Sequence, residues 1–228
     1  MPDWLQVIFL GVTEGITEFL PVSSTGHLLL AEKWMGARPE YFTVFIQSGA
    51  VLAVVAVFKE RVKELFTKRS NPEIKEYTKK MGTAFLVTAL GGLSLKKAGW
   101  ELENAMEPIA WALLVGGVLF VAIEIHLKKK GTPRKEENCI PQITWTLAIA
   151  FGVGQLIAMV FPGASRSGTT ILLALVLGMG RREAVEFSFL LGVPTLLAAG
   201  AYQMATALKE NAAAVQAEAP MLALGTIV

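Results

Sequence analysis

Two short polar segments carry most of the side chains that could do chemistry. In the first segment, Glu14 and Glu18 are four residues apart, so on a helix their carboxylates share one face. Ser24 and His27 follow shortly after. Two like charges in an apolar segment are costly, and they persist when one is protonated, a cation binds them or an arginine faces them. The segment therefore predicts a general base or a divalent-cation site at the two glutamates. The other interpretation is an interfacial helix with both carboxylates turned to water.

The second segment, 161–170, has the composition of an anion site. Its small residues allow a ligand to approach the backbone closely. Hydroxyl groups and free N–H groups at the start of a helix favour a bound anion, and Arg166 adds a planar set of donors that suits phosphate. We predict that phosphate is bound by Ser165, Arg166, Ser167 and Gly168. Arg166 could also pair with Glu14 or Glu18, and both roles can hold at once.

Together the segments suit phosphoryl transfer, in which positioning and charge stabilisation supply most of the catalysis. The predicted catalytic residues are Glu14, Glu18, Ser24, His27 and Arg166. The nucleophile is left open between Ser24, His27 and water. Outside these segments, we interpret His126 as an interfacial residue and Cys139 as an incidental free thiol.

The elements that must position these residues are apolar helices. Hydrophobic residues make up 53% of the 228 residues, with a mean hydropathy of +0.51. A helix needs about 20 mainly apolar residues to cross a bilayer. Several blocks approach that length, and the shorter ones suggest broken or tilted helices. We therefore expect an all-α, polytopic membrane helical bundle that forms a single membrane domain over 1–228. The expected spans are 42–58, 81–95, 108–127, 145–161 and 187–208.

The distribution of charge predicts the orientation in the membrane. A net charge of +2 does not indicate the strongly basic surface that nucleic-acid binding requires. Basic residues concentrate in 59–80 and 128–135, and the two expected helices between these segments place them on one side. The positive-inside rule makes that side cytoplasmic. The N-terminus lacks the pattern of a cleavable signal peptide, so we expect the first segment to stay in the protein.

The two polar segments fall in an apparent internal repeat. An offset of 141 residues places Gly11 on Gly152 and Ser24 on Ser165. We expect repeat 1 at about 4–95 and repeat 2 at about 145–228, inverted, with two re-entrant helix-loop regions that meet near the middle of the membrane. The sequence stops soon after a new apolar run begins, so we expect a further hydrophobic segment beyond its C-terminal end.

Two signatures resemble a known family. They are Glu18-Phe-Leu-Pro-Val-Ser-Ser-Thr-Gly-His27 and Pro162-Gly-Ala-Ser165-Arg166-Ser-Gly168. Both are similar to the bacitracin-resistance family of undecaprenyl-diphosphate phosphatases, and the resemblance extends through most of residues 4–225. It implies a multi-pass enzyme of the bacterial inner membrane that cleaves undecaprenyl diphosphate to the monophosphate and recycles the cell-wall lipid carrier. It also implies a requirement for a divalent cation (Mg²⁺ or Ca²⁺) and a site open to the outer face. By position, the resemblance assigns functional roles to Glu14, Glu18, Ser24, His27, Ser165 and Arg166, and it adds Thr170 to the phosphate-binding residues.

Other functions and assemblies are also weighed. A transporter of an anionic lipid or solute is the main alternative, because inverted repeats with a midplane site serve transport equally well. A phosphatase of the phosphatidic-acid type needs a second histidine as nucleophile, and none follows His126. The expected partners are the polyprenyl diphosphate lipid and the bilayer, and a homodimer is a candidate assembly.

Overall fold

A computed structural model describes residues 2–99, 106–130 and 142–228, and this described part contains helices and no strand. The predicted all-α class is therefore confirmed. Cys139 and much of the basic segment 128–135 lie outside the described residues. The helices are α1 (Asp3–Thr17), α2 (Ser24–Met35), α3 (Glu40–Val57), α4 (Lys59–Thr67), α5 (Pro72–Lys97), α6 (Met106–Lys130), α7 (Trp145–Val160), α8 (Arg166–Val176) and α9 (Arg181–Ile227).

Three of these helices are long and apolar enough to cross a membrane, namely α3, α6 and α9. They contain the expected spans 42–58, 108–127 and 187–208 almost entirely. The expected span 145–161 corresponds to α7, whose 16 residues give a length of about 24 Å, less than the hydrocarbon core. The expected span 81–95 lies inside the longer helix α5 and is not among the three. The chain is a multi-pass membrane protein.

The same order of elements occurs twice. Helices α1 and α2 form a hairpin followed by the long helix α3, and α7 and α8 form a hairpin followed by α9. The second helix of each hairpin is capped by a serine: Ser23 accepts from the Gly26 amide at 3.4 Å, and Ser165 accepts from the Gly168 amide at 3.1 Å. In this capping role Ser165 corresponds to Ser23 rather than to Ser24.

One end of the bundle is held by Arg38, which lies between α2 and α3. Its guanidinium contacts Asp3 at the start of α1 and Glu218 of α9. Gln203 of α9 donates to Glu40, the first residue of α3, at 2.7 Å. Helices α1 and α3 therefore both begin at this end, which we call the Arg38 end, and the α1–α2 hairpin opens here.

The opposite end, which we call the Arg61 end, joins α3, α4, α6 and α9. Arg61 of α4 donates to Glu186 near the start of α9 at 2.6 Å. Arg181, the first residue of α9, donates to Glu124 of α6 at 2.6 Å. Because α8 leads directly into α9, the α7–α8 hairpin opens at this end. The two hairpins thus enter the bundle from opposite ends. The predicted bounds of the two repeats, about 4–95 and 145–228, stay predictions.

Helix α9 consists of two segments. Asn211 has φ −155° and ψ 81°, and its side-chain oxygen accepts from the Ala214 amide at 3.1 Å. Asn211 therefore ends the first segment and caps a new one. We call the two segments α9a (181–210) and α9b (212–227).

Segment α9b turns back into the bundle and packs closely on α1 and α3. Glu218 lies at the Arg38 end, whereas Thr226 lies beside Gly49, further along α3. A Cβ added to Gly49 would lie 2.6 Å from the Thr226 carbonyl oxygen, and one added to Gly11 would lie 2.9 Å from that of Gly225. Such close approach of backbones is typical of small residues between membrane helices.

Two apolar clusters support the hairpins. The first surrounds the α7–α8 hairpin, with Phe187 of α9 against Phe151 and edge-on to Tyr77. The second surrounds the α1–α2 hairpin, and in it Phe42 and Leu222 are buried with apolar residues of α1 and α2. Helices α3 and α9 contribute side chains to both clusters, so the two hairpins are packed against the same pair of long helices.

Candidate active site

The tip of the first hairpin carries the two glutamates. Helix α1 ends at Thr17, and the backbone at Glu18 remains in the helical region, so Glu14 and Glu18 share one face as predicted. Glu14 is 2% exposed, and neither of its carboxylate oxygens has a hydrogen-bond partner among the described residues. The charged groups that act on it are Glu18 and Arg166. An unsatisfied buried carboxylate is costly, so this group points to a bound cation, proton or ligand.

Glu18 joins the two hairpins. One carboxylate oxygen accepts a hydrogen bond from the Ser24 hydroxyl at 2.6 Å, and the other is paired with the guanidinium of Arg166. The side chains of Glu18 and Arg166 are 13% and 22% exposed, so water screens the pair only weakly. The sequence left two roles open for Arg166, phosphate binding and pairing with a glutamate of the first segment. The structure shows the pairing.

His27 lies on the same hairpin and is exposed. Its Nδ1 lies 2.9 Å from the Ser23 carbonyl oxygen. A carbonyl oxygen only accepts, so Nδ1 carries the proton, and in the neutral ring Nε2 is free to accept one. Ser23 has a φ of 63° and is the one non-glycine residue with a positive φ among the described residues. This unusual conformation directs the carbonyl that fixes the ring.

The second turn presents the start of α8. The Ser165 hydroxyl accepts from the Gly168 amide and lies 3.2 Å from the Ser167 hydroxyl. The amides of Arg166 and Ser167 have no acceptor within the described ranges. Free amides at a helix start, together with the positive end of the helix dipole, favour an anion. This turn therefore presents free donors that suit an anion at the start of the helix whose first residue is Arg166.

Thr170 lies elsewhere on α8. It is 1% exposed, and its hydroxyl lies 2.7 Å from that of Ser188 on α9 and within hydrogen-bonding distance of two carbonyls in its own helix. These contacts tie α8 to α9. The structure thus gives Thr170 no hydrogen bond to the side chains of Glu18, Ser24 or Arg166, and its role in phosphate binding stays a prediction.

Sequence reasoning missed two residues of α9 that hold Arg166. Nη1 of Arg166 donates to the Thr195 hydroxyl at 3.4 Å, and the guanidinium lies against Gly192. The available signal was a polar threonine six residues after the run Phe187-Ser188-Phe189 in a predicted span, although such residues often only pack. Ser188, the partner of Thr170, was missed for the same reason.

Helix α6 lies across both turns, at places where the hairpins carry glycine. A Cβ added to Gly163 would lie 2.8 Å from the backbone of α6, and Gly163 itself has a φ of +93°. The contacts join Ile109 to Gly163, Leu113 to Gly26 and Phe120 to Gly168. Among the α6 side chains that the structure describes, Ile109 alone is buried. The helix therefore covers the two turns on one side.

The two glutamates fit a divalent cation that also binds phosphate. No group of three or more His, Cys, Asp or Glu suited to a metal occurs in the described part of the chain. However, Mg²⁺ is commonly held by one or two carboxylates together with substrate phosphates and water. The unpartnered oxygens of Glu14 are the best candidates for such a ligand.

Comparison with known proteins places the chain in a family. The family model described as "Bacitracin resistance protein BacA" matches residues 7–228. A protein of Xylella fastidiosa (strain 9a5c) named undecaprenyl-diphosphatase is 48% identical over 203 residues, which cover 89% of this chain and 75% of that protein. One of the same name from Rhizobium etli (strain CIAT 652) is 46% identical over 213 residues, covering 93% of this chain and 78% of that protein. The chain belongs to the bacitracin resistance protein BacA family.

Proposed function

We propose that the protein hydrolyses undecaprenyl diphosphate to undecaprenyl phosphate and phosphate, and so recycles the lipid carrier of cell-wall synthesis. Membership of the family and relatives named undecaprenyl-diphosphatase support this reaction. The observation that carries the proposal is the contact of Glu18 with both Ser24 and Arg166. This contact supports roles for Ser24 as nucleophile, Glu18 as base and the Arg166 guanidinium as the phosphate-binding group, because hydrogen bonds link the three side chains.

The diphosphate binds between the guanidinium of Arg166 and the free backbone amides at the start of α8. A guanidinium has five N–H donors, and the contacts to Glu18 and Thr195 leave others for phosphate oxygens. The free amides of Arg166 and Ser167 supply further donors. Glu14, with Glu18 beside it, would hold a divalent cation (Mg²⁺ or Ca²⁺), which would supply positive charge to the phosphates.

Ser24 is the nucleophile in this mechanism, with Glu18 as its base. The Ser24 oxygen attacks the terminal phosphorus, its proton moves to Glu18, and the bond to the oxygen of undecaprenyl phosphate breaks. As Glu18 becomes neutral, Arg166 loses its counter-charge and is free to stabilise the phosphoryl group. Water then attacks the phosphorus of the phosphoserine, the bond to the Ser24 oxygen breaks as that oxygen regains the proton from Glu18, and the water oxygen leaves as part of the released phosphate.

His27 is best placed to act on water or on the released phosphate. Its Nε2 is free to accept a proton while Nδ1 remains bound to the Ser23 carbonyl. Direct attack by His27 or by water on the diphosphate is the alternative to the serine route. The hydrogen bond of 2.6 Å between Ser24 and Glu18 favours serine.

The protein lies in the bacterial inner membrane with the Arg61 end in the cytoplasm. The hydrogen bonds of Arg61 to Glu186 and of Arg181 to Glu124 bring together the helix ends that lead into the two basic segments. The positive-inside rule favours that end for the cytoplasm. The α1–α2 hairpin then enters from the outer side, and the site opens to the outer face. A homodimer remains a candidate assembly.

Phosphate release from undecaprenyl diphosphate by the purified protein in detergent tests the function. Release is expected with Mg²⁺ or Ca²⁺, and a chelator should abolish it. A transporter would release no phosphate under these conditions. If Glu18→Ala, His27→Ala and Arg166→Ala all keep near-wild-type turnover, the site assignment is wrong. Quenched reactions analysed by mass spectrometry should place the phosphoryl group on Ser24, and a phosphohistidine would instead favour His27.

A further inference from the structure

We propose that Gly192 and Thr195 of α9a are positioning residues that form a socket for the guanidinium of Arg166. The inference rests on the proposed function insofar as Arg166 binds the diphosphate. The socket itself is a structural relation between α8 and α9a, and neither residue belongs to the two polar signatures.

The hydroxyl of Thr195 holds one edge of the guanidinium. Nη1 of Arg166 lies 3.4 Å from the Thr195 oxygen. The same oxygen lies 3.0 Å from the carbonyl oxygens of Leu191 and Gly192, to which it donates. With its proton directed into the helix backbone, Thr195 presents a lone pair to Arg166. An acceptor fixed in this way sets the rotation of the guanidinium plane.

Gly192 provides the space in which the guanidinium lies. A Cβ at this position would lie 3.1 Å from Nη2 and 3.2 Å from Cζ of Arg166, and closer still to Nη1. Gly192 lies within α9 and does not have the positive φ that would require glycine for backbone reasons. Glycine inside a helix is less favourable than alanine. Room for Arg166 is the physical reason for a glycine here.

The socket and Glu18 together determine which donors face the substrate. Glu18 takes a donor on Nη2, Thr195 takes one on Nη1, and Gly192 lies at the edge of the guanidinium between Nη1 and Nη2. The remaining donors are thereby directed to one side. A misplacement of about 1 Å in a catalytic group can cost about 100-fold in rate, so a small displacement of Arg166 should be visible in turnover.

Activity of single variants gives the first test. Gly192→Ala should lower kcat/KM by about 10- to 100-fold. Thr195→Val, which keeps the shape and removes the acceptor, should lower it by about tenfold, while Thr195→Ser should recover most of the loss. Gly82→Ala is the matched control, since a Cβ there meets nothing within 4 Å. Equal losses in Thr195→Val and Thr195→Ser would refute the hydroxyl's role.

A stability cycle tests the socket without turnover. The melting temperature in detergent is measured for Gly192→Ala with Arg166 present and in the Arg166→Ala background. The added methyl should lower the melting temperature only when the guanidinium is present. Equal shifts in both backgrounds would overturn the socket, whatever the activity. Absence of phosphate release by the wild-type protein would instead overturn the proposed function and leave the cycle to decide the socket.

Discussion

Arg166 of α8 is ion-paired with Glu18 of the first hairpin, 148 residues earlier in the chain. The pair lies where two hairpins that enter from opposite ends of the bundle meet. Neither hairpin alone holds both the carboxylate and the guanidinium. The site therefore exists only when the two halves of the chain are packed together, and the pair links folding to chemistry.

Removing the charge of Glu18 should affect both rate and stability. Glu18→Gln keeps the shape but removes the base for Ser24 and the counter-charge of Arg166. We expect a loss of phosphate release of at least about 100-fold. The unpaired guanidinium should also destabilise the fold by about 3 kcal/mol, seen as a lower melting temperature.

Glu76→Gln is the control for this change. Glu76 is an exposed carboxylate on α5 that pairs with Lys80 at 3.1 Å, and surface pairs contribute little. Its turnover and melting temperature should match those of the wild type. Normal turnover in Glu18→Gln would exclude Glu18 as the base.

Ser24 can be tested separately from its hydrogen-bond partner. Ser24→Ala should abolish the phosphoenzyme and lower turnover by about 1000-fold or more, because the attacking oxygen is removed. Ser94→Ala is the control. The Ser94 side chain is exposed, and among the described residues its hydroxyl donates to the Leu90 carbonyl of the same helix. Substantial turnover in Ser24→Ala, with no phosphorylated residue trapped, would favour direct attack by water.

Glu14 should govern the dependence on the cation rather than the proton transfer. Its buried oxygens have no partner among the described residues, whereas those of Glu18 are engaged. We expect Glu14→Gln to raise the Mg²⁺ concentration needed for half-maximal activity by about tenfold or more, since one anionic ligand is lost. Saturating Mg²⁺ should restore part of the rate.

Titrating activity against free Mg²⁺ checks this, with Glu18→Gln as the comparison. For that variant the maximal rate itself should stay low at every concentration. An unchanged Mg²⁺ dependence in Glu14→Gln would remove Glu14 as a cation ligand.

Local chemistry in the site could be predicted from the sequence, because spacing controls it. Glu14 and Glu18 share a face for the simple reason of their i, i+4 spacing. An arginine between apolar segments, such as Arg166, needs an anionic partner, so its pairing with a carboxylate could be anticipated. These inferences need only the period of a helix and the cost of a buried charge.

Contacts set by helix packing could not be predicted in this way. Gly192 and Thr195 resemble ordinary packing residues, and only the placement of α9 against α8 brings them to Arg166. The break at Asn211 also lies outside the expected span 187–208, although the polar run Lys209-Glu210-Asn211 is a signal for it. A fixed repeat offset likewise missed the capping serine Ser23, because the turns differ in length.

The backbone at Ser23 should tolerate only residues that accept a positive φ. At φ 63°, a β-branched side chain is strained, whereas glycine and asparagine are accommodated. Ser23→Val should therefore lower the melting temperature, and it should lower turnover because the Ser23 carbonyl that orients His27 moves. Ser23→Gly and Ser23→Asn should be much milder.

Ser94→Val controls for the substitution itself, since Ser94 lies in regular helix on α5. Phosphate release and thermal unfolding of the four variants are compared. If Ser23→Val and Ser23→Gly behave alike, the backbone conformation at this position does not matter for the site.

Gly49→Ala tests the packing of α9b on α3, because helix propensity and overpacking change the melting temperature in opposite directions. Gly49→Ala improves helix propensity by about 1 kcal/mol. However, its Cβ would lie 2.6 Å from a backbone oxygen of Thr226, which cannot rotate away as a side chain could. Overpacking of this kind typically costs about 1 to 3 kcal/mol. We therefore expect a net lower melting temperature, with α9b displaced from α3.

Gly82→Ala provides the opposite case, because a Cβ there meets nothing within 4 Å and propensity alone should act. Its melting temperature should be equal to or above that of the wild type. Turnover of Gly49→Ala at low temperature should stay close to normal, since the atoms nearest to the added Cβ belong to Thr226, which has no role assigned in the reaction. A higher melting temperature for Gly49→Ala would show that α9b does not pack against α3 at this point, and the direction of α9b after Asn211 would have to be revised.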